Sequence, residues 1–144
     1  MIIFKDVRYG SPKYNQLVAR RRDVLRMPLG LDFTPEQLAA DMGDIVLGAF
    51  EKSEAIGSLI IRHVSDAEAK LRQMAVAPLA QGKGIGSKLL AYAEDRIRTQ
   101  SYREISLHAR EDAVPFYEKH GYKREGLPFI EVTIPHVAMR KVLD

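Results

Sequence analysis

The sequence predicts an α/β fold with a mixed β-sheet (an α+β mixed sheet), and three observations lead to this expectation. Short apolar strands alternate with amphipathic helices along the whole chain. A Gly-rich loop joins one apolar strand directly to an amphipathic helix. No linker or repeat interrupts the 144 residues, a length typical of one domain, so residues 1–144 are predicted to form a single domain.

The N-terminal elements are a strand over residues 2–9 and a helix over residues 14–27. The helix has an apolar face, made by Leu17, Val18, Val24 and Leu25. Three consecutive arginines, residues 20–22, interrupt that face, and we expect them on a solvated surface rather than at a phosphate site. A second helix begins at Thr34, with Pro35 in its first turn and Gln37 completing a capping box, and ends near residues 42–43.

The remaining elements follow from apolar periodicity and from turn residues. Strands 45–50 and 55–64 are separated by a short polar link, which predicts an antiparallel hairpin. The later elements are a strand at 70–76, a helix at 86–99, a strand at 104–109, a helix at 113–120 and strands at 122–125 and 136–142. The predicted order is therefore β-α-α-β-β-β-α-β-α-β-β.

The Gly-rich loop is the strongest functional signal in the chain. Residues 81–86 read QGKGIG, which is Q-x-x-G-x-G, and they lie between an apolar strand and a helix. Backbone N–H groups of such a loop and the positive end of the helix dipole suit a phosphate or pyrophosphate. The spacing fits neither a P-loop nor a dinucleotide fingerprint. A Gly-rich turn without any ligand is the remaining alternative.

The loop and a second segment together resemble the GNAT superfamily of N-acetyltransferases. The second segment, FYEKHGY at residues 116–122, resembles that family's F-Y-x-x-x-G-[FY] pattern. The ending IPHVAMRKVL resembles a final strand of small members. The resemblance covers essentially the whole chain and implies the GNAT acyl-CoA N-acyltransferase fold, a mostly antiparallel sheet splayed at the cofactor site with about four flanking helices.

This resemblance implies an acetyl-CoA-dependent N-acetyltransferase and a set of acetyl-CoA contacts. Backbone groups of the strand before the loop are expected to bind the pantetheine and polarise the thioester carbonyl, and those of the loop to hold the pyrophosphate. The expected contact residues are Met74, Ala75, Val76, Gln81, Gly82, Lys83, Gly84, Ile85, Gly86, Ser87, Asp112 and Phe116. Glycine is expected at 82, 84 and 86 because a side chain would block close approach or the required dihedral angles. Asp112 stands where the family often has Asn, and its position also predicts an N-cap for the short helix.

Proton transfer has one clear candidate acid and several candidate bases. Tyr117 matches the family's tyrosine acid, which protonates the departing thiolate, and packing in the core is its alternative. Gln73 stands where some members have a catalytic Glu, so the base must be another group. His136 is our first candidate, and the others are His108, Glu111, Asp32 and water. His63 and His120 are expected to be surface or packing residues, and no residue grouping has convincing metal spacing.

Composition excludes several other functions. Cysteine is absent, so disulfides and a covalent Cys intermediate are excluded. The net charge of +3 is too small to indicate nucleic-acid binding, and no stretch has the length of a membrane span. A cytoplasmic location fits this composition. A non-catalytic CoA-binding sensor on the same fold and an unrelated nucleotide-binding domain remain as alternatives.

The acceptor amine, a small molecule or a peptide, cannot be identified from the sequence. Residues 27–44 are expected to form one wall of its pocket. Asp32, Glu36 and Asp41 suit either a cationic amine or an exposed helix, and we favour the exposed helix. Dimerisation through the last strands is an expectation from the resemblance.

Overall fold

The computed structural model describes residues 1–144 and contains seven strands and four α-helices in the predicted order. The elements are β1 (Ile2–Val7), α1 (Pro12–Leu25), α2 (Pro35–Ala39), β2 (Ile45–Glu51), β3 (Glu54–His63), β4 (Glu68–Val76), α3 (Ile85–Thr99), β5 (Glu104–Arg110), α4 (Val114–Lys119), β6 (Lys123–Glu131) and β7 (Ile134–Val142). One open sheet has the order β1-β2-β3-β4-β5-β7-β6, and only the β4–β5 pair is parallel. The predicted mixed, mostly antiparallel sheet is confirmed.

The helix starts follow from capping residues. Ser11 accepts a hydrogen bond from the backbone N–H of Tyr14, so α1 begins two residues earlier than predicted. The capping box of Thr34 and Gln37 is confirmed, because each side chain accepts from the other residue's backbone N–H. The α2 helix itself is short and continues as a 3₁₀ turn over Ala40–Gly43.

The central strand β3 is buried on both faces of the sheet. Leu59 and Ile61 belong to the main core together with Leu89 and Leu90 of α3. Ile60, which points to the other face, packs in a second core with Leu17 and Val18 of α1. α1 and α3 therefore cover opposite faces of the sheet.

The sheet splays between its two parallel strands. Pairing of β4 with β5 runs only from Glu68↔Glu104 to Leu71↔Leu107, and the two strands then diverge. A bulge in β4 lies just beyond this point, where the register shifts against β3 and Gln73 has a φ of +59°. The splay expected from the resemblance is present, and it opens a gap beside the last residues of β4.

The final hairpin is longer than predicted. β6 extends to Glu131, six residues beyond the predicted end at Glu125, and a two-residue turn joins it to β7. The sequence Gly126-Leu127-Pro128 led to a prediction that the strand ends at Glu125, because Gly and Pro are normally found where a strand stops. A bulge between Glu125 and Phe129 accommodates these residues, and β6 tolerates Pro128 because it is an edge strand.

The prediction that Arg21 and Asp41 lie on exposed faces is wrong. Arg21 is 1% exposed, Asp41 is 0% exposed, and their side chains form an ion pair at 2.8 Å. The Tyr14 hydroxyl donates to the same carboxylate oxygen at 2.8 Å, and Arg72 lies 3.5 Å from the other oxygen. The sequence interpretation had assumed that water solvates these charges, whereas in the structure the two buried side chains neutralise each other.

Candidate active site

A cavity of about 740 Å³ occupies the gap between β4 and β5. The α3 and α4 side contributes Gly86, Phe116 and Tyr117 to its wall. The α1 side contributes polar side chains, Arg21, Arg26 and Gln37, and the apolar ring of Phe33. The cavity thus connects the two faces of the sheet through its splay.

No helix has the length and apolar character needed to cross a membrane, and no three acidic or His side chains are grouped to hold a metal ion.

The end of β4 presents backbone groups to this cavity. Ala77 donates its N–H to the Ile56 carbonyl at 2.8 Å. Successive amides of a strand point to opposite edges, so the N–H of Val76 points toward the gap and that of Ala75 toward β3. Met74, Ala75 and Val76 all line the cavity. An extended thioester arm could pair with this open strand edge.

The loop before α3 has the geometry of an anion cradle. Gly82 and Gly84 have φ values of +79° and +78°, which disfavour residues with a Cβ, and a Cβ at either position would meet no atom within 4 Å. Gly84 is the N-cap of α3, no side chain caps the helix, and no acidic residue occupies its first turn. The first N–H groups of α3 are therefore free of side-chain partners, and the residues present fit a pyrophosphate.

The other four residues of the loop are also predicted cofactor contacts. Gln81 lines the cavity and donates from Nε2 to the Val76 carbonyl at 3.0 Å. Ile85 is 3% exposed and packs in a small apolar cluster. Lys83 is exposed. Gly86 has no positive φ, and an added Cβ would meet the Phe116 ring at an ordinary 3.5 Å, so neither its dihedral angles nor its neighbours in the chain require glycine. A role in close approach of the cofactor stays a prediction.

Two predicted contact residues have different surroundings from those expected. The Ser87 hydroxyl lies 2.9 Å from Nε2 of His120 on the neighbouring α4. Asp112 lines the cavity, but it does not cap the short helix, whose N-cap is Ala113 without any side-chain bond. The N-cap prediction for Asp112 is wrong because a 3₁₀ turn over Glu111–Ala113 moves the helix start.

Tyr117 is 7% exposed and lines the cavity. Its ring stacks edge-on against Phe116 and Tyr122, at centroid distances of 5.0 and 5.7 Å. Burial alone raises the pKa of its hydroxyl above the ordinary value near 10, and no hydrogen bond contributes. The phenol therefore stays protonated at neutral pH, and no acceptor within the chain binds its proton.

His136 and His108 lie beside one carboxylate, that of Glu131. His136 is 5% exposed and its Nδ1 donates to the Ile134 carbonyl at 2.9 Å, so its Nε2 carries the lone pair in the neutral ring. That Nε2 lies 3.8 Å from one Glu131 oxygen, and Nδ1 of His108 lies 2.9 Å from the other. All three residues line the cavity, so this cluster can accept a proton there and stabilise the resulting charge.

The other predicted bases are placed less favourably. Asp32 does not line the cavity, and it accepts from Arg22 at 2.6 Å and from the Phe33 backbone at 2.7 Å, which lowers its pKa. Glu111 is exposed and also lies outside the cavity wall. His108 remains a second candidate, with a more exposed ring than that of His136.

Sequence reasoning missed Glu131 and two arginines of the cavity wall, Arg26 and Arg110. Glu131 lies in the part of β6 that the Gly-Leu-Pro segment concealed. Arg26 lies within the predicted first helix and Arg110 just beyond the predicted strand 104–109, so neither was considered as a site residue. Alternation along β5 was an available signal, because Ser106, His108 and Arg110 share the face opposite the buried Ile105, Leu107 and Ala109.

Known proteins resemble this chain in both sequence and fold. An acetyltransferase (GNAT) domain family model matches residues 31–143. A Bacillus subtilis protein named for acetyltransferase activity is 28% identical over 96 residues, which is 67% of this chain and 65% of that protein. The chain thus spans slightly less than two thirds of that relative's length.

Two solved structures share the fold at low sequence identity. An aminoglycoside 6'-N-acetyltransferase complexed with coenzyme A has a TM-score of 0.82 at 19% identity, covering 97% of this chain and 96% of that one. A GNAT family acetyltransferase from Elizabethkingia anophelis with acetyl-CoA bound has a TM-score of 0.77 at 17% identity, covering 99% and 98%. The family match covers most of the chain, and the splayed sheet and glycine loop agree with it. This chain belongs to the GNAT acetyltransferase family.

Proposed function

We propose that this chain transfers an acetyl group from acetyl-CoA directly to an amine, through a tetrahedral intermediate and without an acyl-enzyme. The observation that carries the proposal is the cavity in the splay, whose wall includes Gln81 and Gly86 at the two ends of the glycine loop, the phenol of Tyr117 and the cluster of His136 with Glu131. The two related structures that hold coenzyme A or acetyl-CoA support the choice of co-substrate.

The cradle and the strand edge bind and orient the co-substrate. The N–H groups of residues 82–86 hold the pyrophosphate, because the helix N-terminus there has no competing cap. The N–H of Gln81 already donates to the Pro78 carbonyl at 3.3 Å. The free N–H of Val76 lies along the path of the pantetheine arm and polarises the thioester carbonyl. Asp112, exposed beside α4, is left with a minor role at the cofactor.

Proton transfer then involves His136 and Tyr117. Nε2 of His136 takes a proton from the acceptor ammonium, and the free amine attacks the thioester carbon, forming a C–N bond. Collapse of the intermediate breaks the C–S bond, and the sulfur takes the proton of the Tyr117 hydroxyl. The phenolate regains a proton from the amide nitrogen, which carries one in excess, so one amide, one thiol and one released proton result.

Turnover tests this proposal. Purified protein is incubated with acetyl-CoA and a broad panel of amines, and release of free thiol is followed. We expect amine-dependent release, with a fall in kcat of about 100-fold or more in Tyr117→Phe and unchanged CoA affinity. CoA binding without thiol release for any amine would instead support the sensor alternative.

Thermal unfolding addresses the nucleotide-binding alternative. CoA should raise the midpoint of unfolding, and ATP and NAD should not, because a ligand that binds only the folded state stabilises it. A cytoplasmic location, a single domain over residues 1–144 and a homodimer through the last strands remain predictions.

A further inference from the structure

The α1 side of the cavity carries five cationic side chains, and they differ in how they are neutralised. Arg21 and Arg72 pair with the buried carboxylates of Asp41 and Asp44, at 2.8 and 3.1 Å. The other three cations of the wall, Arg26, Lys70 and Arg110, have no carboxylate oxygen within 4.0 Å. The five cations still exceed the four carboxylates that pair with them or line the same cavity, which are Asp41, Asp44, Glu131 and Asp112.

Two of these unpaired cations are held close together. Arg26 Nη1 and Arg110 Nη2 donate to the same acceptor, the carbonyl oxygen of Leu25, at 3.2 and 2.7 Å. Because they share this acceptor, the two nitrogens cannot lie farther apart than the sum of these two distances. Like charges at this distance repel, and an anion that accepts from both guanidinium groups would relieve the repulsion.

Arg26 is buried, so water solvates its charge poorly and the lack of a counter-charge raises the energy of the charged guanidinium. Arg26 is 7% exposed, and its guanidinium lies over the Phe33 ring, 4.4 Å from the centroid. Burial, and then the charges of Arg110 and Arg21, lower the pKa of Arg26. Burial, and then the charges of Arg72 and Arg62, likewise lower that of Lys70, although Glu131 partly opposes both shifts. The cavity can therefore stabilise a buried anion at this place.

The anion site adjoins the proposed base. Arg110 of β5 pairs in register with His136 of β7, so their side chains leave neighbouring positions on the same face of the sheet. An acceptor that reaches both groups must carry its amine close to its negative charge. Polyamines and aminoglycosides, which carry only positive charge, would be repelled by this wall.

We propose that the acceptor is a small amine carrying a carboxylate or phosphate close to the reacting nitrogen, and that Arg26 and Arg110 bind this anionic group. The inference rests on the proposed acetyltransferase function. It also argues against the alternative of a cationic acceptor held by the acidic residues of the α1–α2 region, because Asp41 forms a buried ion pair with Arg21 and Asp32 pairs with Arg22.

Matched acceptor pairs test the charge requirement. Leucine is compared with leucinamide, and O-phosphoethanolamine with ethanolamine, by thiol release from acetyl-CoA. We expect kcat/KM to be roughly 10- to 100-fold higher for the anionic member, the value of one charge-assisted contact. The amide's amine is the less basic, so easier deprotonation cannot produce this preference. The pair with the larger ratio identifies carboxylate or phosphate as the preferred group. Equal kcat/KM for the members with and without the anionic group, in both pairs, overturns the proposal.

Variants locate the contact. Arg110→Gln, and separately Arg26→Gln, should raise KM for the acceptor with the anionic group about 10- to 100-fold. The KM of its partner without that group should stay within about threefold of the wild-type value. The matched control is Arg98→Gln, since Arg98 is exposed at the end of α3, outside the cavity wall, and its ion-pair partner is the exposed Asp95 at 3.9 Å. Equal effects of Arg110→Gln on both members overturn the assignment.

Failure of the proposed function gives a different pattern. If no amine releases thiol although CoA binds, the acetyltransferase proposal fails, and the anion site is tested by calorimetry on the CoA-saturated protein. Tighter binding of leucine than leucinamide, or of O-phosphoethanolamine than ethanolamine, that is lost in Arg110→Gln supports the site. Equal binding of the members of both pairs overturns it.

Discussion

Asp41→Asn is expected to destabilise this protein severely, because Asp41 neutralises a buried cation. The substitution keeps the size of the side chain and removes only its charge. Arg21, 1% exposed, would then have no carboxylate within 4.0 Å, and its Nε already lacks a hydrogen-bond partner. Arg72 would keep Asp44 at 3.1 Å, so the loss is concentrated on one ion pair.

The magnitude follows from the burial of both partners. Removing one member of a fully buried ion pair costs about 3–5 kcal/mol, because the remaining charge stays desolvated. The Tyr14 hydroxyl also loses its charged acceptor, which lies 2.8 Å away. For a chain of this size about 4 kcal/mol corresponds to a fall in Tm on the order of 10 °C. That loss is a large part of the stability of a typical domain.

Urea denaturation followed by circular dichroism gives the free energy of unfolding. Asp95→Asn is the matched control, because Asp95 is 82% exposed and lies 3.9 Å from Arg98, and we expect a change below about 0.5 kcal/mol. The double variant Arg21→Met with Asp41→Leu should recover much of the loss, since it removes both charges. A loss below about 1 kcal/mol in Asp41→Asn would refute the buried-charge reasoning.

Three further predictions concern the base, the loop and the response to acid. His136→Asn should lower kcat/KM about 100-fold with CoA affinity unchanged, because Nε2 is the expected proton acceptor; thiol release and calorimetry measure the two effects. Gly84→Ala should weaken CoA binding and cost about 1 kcal/mol in urea denaturation, because its φ is +78°; Gly43→Ala, with no positive φ and no neighbour within 4 Å, should do neither. A hydrogen bond from Ser106 lowers the pKa of Glu68 below its ordinary 4.5. The ionised Glu68 therefore contributes fully to the free energy of unfolding above about pH 4.5, and this contribution is lost as the pH falls further. The free energy of unfolding of Glu68→Gln should then decline less steeply than that of wild type below pH 4.5.

Each of these predictions has a contrary result. Unchanged kcat/KM in His136→Asn would move the base to His108 or to water. Equal CoA affinity in Gly84→Ala and wild type would remove the loop from the binding site. Parallel acid profiles of Glu68→Gln and wild type would show that other carboxylates dominate below pH 4.5.

Local signals in the sequence predicted most of the fold. The capping box at Thr34 and Gln37, the apolar run of β3 and the Gly-rich start of α3 depend on residues close together in the chain, and the structure contains all three. Local signals failed where a distant strand overruled them. β6 continues through Gly126 and Pro128 because β7 pairs on both sides of the bulge.

The sequence by itself determined the element order, the glycine loop and the tyrosine, because these depend on backbone propensity and on motifs of adjacent residues. Only the tertiary structure decided which charged side chains form ion pairs and which face the cavity without a partner. Arg21 and Asp41 lie 20 residues apart and pair in the core, and Arg26 and Arg110 lie 84 residues apart and meet at one carbonyl oxygen. Whether a charge is solvated, paired or left facing a cavity depends on which distant groups surround it. The acceptor side that we propose therefore depends on packing, whereas the motifs behind the predicted cofactor side, the glycine loop and Tyr117, can be located in the sequence.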